Sequence, residues 1–117
     1  MNLVPALEQP PDIEFHLTDG VFVKQMYIQH ANTFIPQHAH SYSHHSMVAY
    51  GAVKVWQDGV LMGVYHAPSA ILIQANSKHT FMSVKPDTVV YCIHNVSRTG
   101  EVEINSEHDL EHIKLGD

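Results

Sequence analysis

From Val21 onward the apolar residues come in short extended runs, each closed by residues that favour a turn. Val21 to Gln29 is rich in β-formers and predicts a strand, and Ala31-Asn32-Thr33 predicts the turn after it. Phe34 to His40 is extended again, with Pro36 marking a strand end or a sheet edge. Ser46 to Trp56 is the longest β pattern and breaks at Gly51. Asp58-Gly59 then separates Val53–Trp56 from Val60–Tyr65, and this dipeptide signals a tight hairpin because both residues accept positive φ. Ala67-Pro68-Ser69, Asn76-Ser77-Lys78 and Lys85-Pro86-Asp87 predict further turns, which leave Ala70–Gln74, His79–Val84 and Thr88–His94 as strands. About eight strands at such regular spacing predict an all-β sandwich or barrel.

Helical periodicity is confined to Ser106–Leu115, where Ser106 can cap and Leu110, Ile113 and Leu115 can share a side. Residues 1 to 20 carry Pro5, Pro10 and Pro11 and end in Asp19-Gly20, which predicts an extended arm lying either across the domain or across a partner subunit. The expected organisation is an arm over 1–20, a barrel over 21–96 and a C-terminal segment over 97–117.

Composition narrows the partners. At 117 residues, 44% hydrophobic and 15% charged, the chain predicts one globular domain. The net charge of -6, with only six scattered Lys and Arg, argues against nucleic acid and against an anionic membrane surface. No apolar stretch reaches the ~18 residues a spanning helix needs, and Met1–Pro5 has no basic leader pattern, so a soluble cytoplasmic protein is expected. Cys92 is the single cysteine and lies in the apolar run Val89–Ile93, so it predicts a buried strand residue and no internal disulfide.

Histidine changes the picture, with eleven in the chain. His38, His40 and His44 are closely spaced, and His79 follows downstream. A divalent metal needs three or four lone pairs converging on one point, and neutral imidazole supplies one without adding charge. Side chains i and i+2 share a strand face, so His38 and His40 point together, as do His79, Phe81 and Ser83. A bend within Ser41-Tyr42-Ser43 leaves His44 and His45 open as the third donor on strand parity alone. His16, His108 and His112 read as exposed, and His30 and His94 read as hydrogen-bonded core residues or cavity residues.

These spacings resemble the cupins, whose first motif has the form G-x5-H-x-H-x3-4-E-x6-G and whose second has the form G-x5-P-x-G-x2-H-x3-N. Here His38-x-His40-x3-His44-x6-Gly51 follows the first, and the count back from Gly51 selects His44 for the place usually held by glutamate. Asn32 stands at the leading glycine, a position Asn can fill by adopting αL. In the second motif His79 matches, Gln74 and Asn76 stand for the proline and glycine, and Ser83 replaces the asparagine. The stretches Lys78-His79-Thr80-Phe81 and Tyr91–His94 are similar to compact cupins of tailed bacteriophages. The resemblance spans residues 21 to 96 and implies a jelly-roll barrel, a homodimer and a divalent metal on His38, His40, His44 and His79.

Four neutral ligands leave the metal's double charge uncompensated, which favours an anionic exogenous ligand. Imidazole suits Fe, Ni, Cu and Zn, and the resemblance adds Mn. An octahedral metal beside four histidines keeps two open positions, enough for a bidentate substrate or for substrate plus O₂. The pocket candidates are Tyr42, Tyr50, Phe81 and Ser83, with Met47 and Val48 beside them, while Met62 and Met82 read as barrel core. Asp58 and Asp87 both fall in turns, so no carboxylate base stands near the motifs. Two readings therefore stand side by side. One is a metal-dependent enzyme on a small organic molecule, for which the resemblance implies dioxygenase-type chemistry. The other is an accessory or ligand-binding protein with a structural metal. The arm over 1–20 is positioned to cover the edge of a neighbouring copy.

Overall fold

The structure, a computed structural model, describes residues 11–36 and 39–95. Among these residues nine strands follow in order: β1 Asp12–Thr18, β2 Val21–Ile28, β3 Phe34–Pro36, β4 His44–Tyr50, β5 Ala52–Gln57, β6 Val60–His66, β7 Ser69–Ile73, β8 His79–Ser83 and β9 Thr88–Asn95. They form two antiparallel sheets, β1-β2-β9-β4-β7 and β3-β8-β5-β6. The helix expected at Ser106–Leu115 and the C-terminal segment lie outside the described residues, as does His38.

Of the extended arm expected over 1–20, residues 1–10 lie outside the described residues, and 12–18 lie across the domain itself, paired along their whole length with β2 from Asp12↔Tyr27 to Thr18↔Val21. The prolines that suggested an arm all precede this segment, and Ile13, Phe15 and Leu17 alternate as a strand requires.

Turn chemistry explains where the strands stop. The non-glycine residues with positive φ among the described residues are Asp19, Asn32, Asp58, Asn76 and Asp87, every one an Asn or Asp in a loop. Asp58 at 49° and Gly59 at 84° make the hairpin the sequence predicts. Asn32 at 61° and Asn76 at 63° take left-handed conformations at two places where the motif has glycine.

Between the sheets the inward side chains lie in layers. Strand alternation points Phe22, Lys24, Met26 and Ile28 inward from β2, and Thr88, Val90, Cys92 and His94 inward from β9. β4 contributes His44, Ser46 and Val48. Ile35, Val53, Val55 and Phe81 close the core from the other sheet. Cys92 is buried, its sulfur 3.2 Å from the Ser46 hydroxyl.

Gly51, between β4 and β5, has φ +80°, and a Cβ there would stand 2.2 Å from Thr88 Oγ1 and 2.9 Å from Thr88 Cα. Backbone strain and a backbone collision both oppose a side chain at this point. Gly51→Ala is expected to cost about 1–3 kcal/mol or more, read as a lower urea midpoint with an unchanged slope.

A candidate metal centre at one end of the barrel

The buried histidines among the described residues are His40, His44, His79 and His94, and all four belong to one end of the sandwich. His44 and His79 are the first residues of β4 and β8, in opposite sheets, and His94 is the penultimate residue of β9. His40 sits in the loop that leads into β4. The bend before β4 resolves the choice that parity left open: His44 is buried and His45 is exposed. β4 and β9 pair at His45↔Ile93, so one step further His44 and His94 are inward cross-strand neighbours.

The loop between β7 and β8 ties these elements together. The Asn76 amide donates to the His40 carbonyl at 2.6 Å, and the Ala75 amide donates to the Ser43 hydroxyl at 3.0 Å. The same loop reaches the β5–β6 hairpin: the Lys78 amide donates to Asp58 Oδ1 at 2.9 Å, and the Asp58 amide donates to the Lys78 carbonyl at 2.7 Å. Gln57 Nε2 donates to the Ser77 hydroxyl at 3.1 Å. Thus the Asp58 carboxylate has a structural task, and the segment holding His79 is pinned to the one holding His40.

The ring of His79 is 1% exposed. Its Nδ1 lies 3.3 Å from the Ser77 carbonyl, which assigns the proton to Nδ1 and leaves a lone pair on Nε2. Nε2 is itself buried with no hydrogen-bond partner among the described residues. A buried acceptor without a partner is uncommon in native proteins, and an imidazole whose other nitrogen donates to a carbonyl is the usual form of a metal ligand. His40 and His44 have ring centroids 5.2 Å apart, tilted by 59°. Among the described residues no three His, Cys, Asp or Glu side chains already gather tightly enough to hold an ion. The donor chemistry that suits a metal rests on His79, with its Nδ1 proton on a carbonyl and its buried Nε2 lone pair.

Several pocket expectations are corrected. Tyr50 is 63% exposed and ends β4, six residues and about 20 Å of strand from His44. Ser83 ends β8 at the same far end, about 13 Å along the strand from His79. Its hydroxyl donates to the His30 carbonyl at 2.7 Å and accepts from the Thr33 amide at 3.0 Å, so it braces the β2–β3 turn. Met62 is 40% exposed on the edge strand β6 and does not pack in the barrel core. Met47 faces outward from β4. Phe81 is fully buried two residues below His79 on the same face, where it floors the histidine layer. Tyr42 is half-buried beside the histidines. His94, which sequence reading left open, joins the site because β9 lies next to β4, a pairing no local pattern reveals.

A cupin 2 domain-containing protein from Halorhodospira halophila superposes with a TM-score of 0.65 at 12% identity, over 89% of this chain and 76% of that one. The chain has the cupin fold. An RmlC-like cupin with a double-stranded β-helix fold from Methanocaldococcus jannaschii gives a TM-score of 0.63 at 12% identity, over 78% of this chain and 86% of that one. KdgF from Halomonas sp. gives 0.59 at 15% identity, over 80% and 81%. No family model and no curated protein matches the sequence. At such identities the likeness to cupins establishes the fold and leaves the chemistry to the residues.

Reassigning Ser83 has a measurable consequence. Ser83→Ala leaves the buried Thr33 amide without its partner, while the His30 carbonyl keeps the Thr33 hydroxyl; the orphaned amide costs about 1–3 kcal/mol. Urea unfolding is expected to show that loss, with metal content unchanged because the turn lies at the opposite end from His79.

Proposed function

We propose that this cupin-fold protein binds a divalent transition metal through His38, His40, His44 and His79, and that the centre takes a small anionic organic ligand. The observation that carries the reading is His79: buried, donating through Nδ1, with Nε2 unpartnered among the described residues. Neutral donors leave the ion's charge to attract a carboxylate or an enolate. A bound Fe, Mn, Ni or Cu ion would supply Lewis acidity and a capacity for O₂ chemistry of dioxygenase type. The protein's part is to orient that ligand over the apolar floor at Phe81 and to keep bulk water from it. No helix among the described residues is long and apolar enough to cross a membrane.

Metal analysis of the purified protein tests this. The expected result is about one ion per chain, with loss of most of it in His79→Ala. Imidazole must be unprotonated to ligate, so acidification below about pH 6 is expected to release the ion. A His79→Ala variant with the wild-type metal content, or retention of the ion at pH 4.5, refutes the four-histidine centre.

A structural metal is the second reading, favoured by the carboxylates of the turns. Asp58 is bonded to the Lys78 amide, and Asp87 accepts from the Tyr27 hydroxyl, so neither is placed as a base. Zinc closed by four donors and no O₂ uptake with added carboxylic acids or diketones would select it.

The protein is further proposed to be a homodimer. Outward side chains of β4, β7 and β9 line an apolar groove of about 510 Å³ that includes Met47, Ala70, Tyr91 and Ile93. Leu72, 47% exposed, stands on the same face. Light scattering is expected to give twice the chain mass, and Leu72→Glu to give one chain mass. A wild-type monomer would remove the dimer.

A further inference from the structure

Tyr42 belongs to neither sheet, yet its ring stands among the buried histidines. It stacks on His40 with centroids 5.3 Å apart and planes 12° from parallel. It also stacks on His94, at 3.9 Å and 15°. Phe22 meets His94 edge-on, at 6.5 Å and 78°. The rings His40, Tyr42, His94 and Phe22 thus form one continuous series from the β3–β4 loop to β2.

The two ends of this series differ in rigidity. His94 is on β9, an interior strand hydrogen-bonded to β2 and β4. His40 is on a loop, where no strand ladder sets its orientation. A ligand ring must be held within about 0.5 Å and 10–20° of the productive geometry, which needs a support of its own. Flat offset contact with a fixed aromatic ring restricts ring rotation in that way.

We propose that Tyr42, braced by His94, is a positioning residue for the metal ligand His40. Tyr42 accordingly acts on the centre through His40, and the His94 ring refers the loop ligand to the sheet. This rests on the metal reading above. It assigns His94 a task carried by the flat face of its ring.

The test is titration of Co²⁺ into the metal-free full-length protein, followed by calorimetry and visible absorption. Tyr42→Ala and His94→Ala are each expected to weaken Co²⁺ binding about 10–100-fold, as loss of ligand-orienting contacts does elsewhere, and to alter the absorption bands. Tyr42→Phe and His94→Phe retain the stack and are expected to bind as the wild type does. Tyr50→Ala, at the opposite end, is the control. Wild-type affinity in Tyr42→Ala overturns the inference. So does weak binding in both Phe variants, which would assign the effect to the hydroxyl and the imidazole nitrogens. Circular dichroism checks that each metal-free variant is folded. Should Tyr42→Ala fail that check, the His94→Ala and His94→Phe pair decides. A wild type that takes up no Co²⁺ refutes the metal reading itself, and the positioning role with it.

Discussion

The amide of Asn76 bonded to the carbonyl of His40 is the contact on which the rest of the site depends. Both groups sit in loops, outside the ladders that satisfy most backbone atoms of a sandwich. Asn76 can present its amide there because it accepts a φ of 63°. The result is a join between two loops that are far apart in sequence. With the Ala75–Ser43 bond beside it, the join holds the segment bearing His40 against the one bearing His79. The Asp58–Lys78 pair extends it to the β5–β6 hairpin, so three loops close one mouth.

Below that mouth the interior changes character within one or two strand steps. His44 and His94 occupy the outermost inward positions of their strands, with Ser46 and Cys92 next and Val48 and Val90 beyond. In the other sheet His79 gives way to Phe81. The histidines are thus gathered in the outermost inward layer, and the apolar residues beneath them supply the core. This order confines the chemistry to one end and leaves the other to turn-bracing groups such as Ser83, Thr33 and the Tyr27–Asp87 pair. The Asp87 carboxylate that accepts from Tyr27 also holds that phenol above its usual pKa range, which keeps it a donor.

Much of the barrel is legible locally. Asp58-Gly59, Asn32 and Asn76 mark turns because few other residues tolerate positive φ, and the Val-rich and Ile-rich runs between them can only be strands at that spacing. His44 is identified by its offset from Gly51, a glycine that Thr88 makes obligatory through a contact invisible in the sequence. Where sequence reading misplaced residues, the cause is length. Tyr50 and Ser83 end the strands that His44 and His79 begin, so each strand step of ~3.3 Å carries them away from the histidine end. For 12–18 the sequence marks an extended segment, and only the pairing with β2 chooses the domain itself as what it lies across.

The chain by itself determined its all-β class, its turns and the identity of its donor-rich segments, since these follow from backbone preferences within a few residues. Only the tertiary structure decided which donors share an end, that His45 faces out, and that His94 and Tyr42 stand beside His40. Those outcomes depend on strand order and loop contacts between residues tens of positions apart, and nothing in a local pattern encodes which strand becomes another's neighbour.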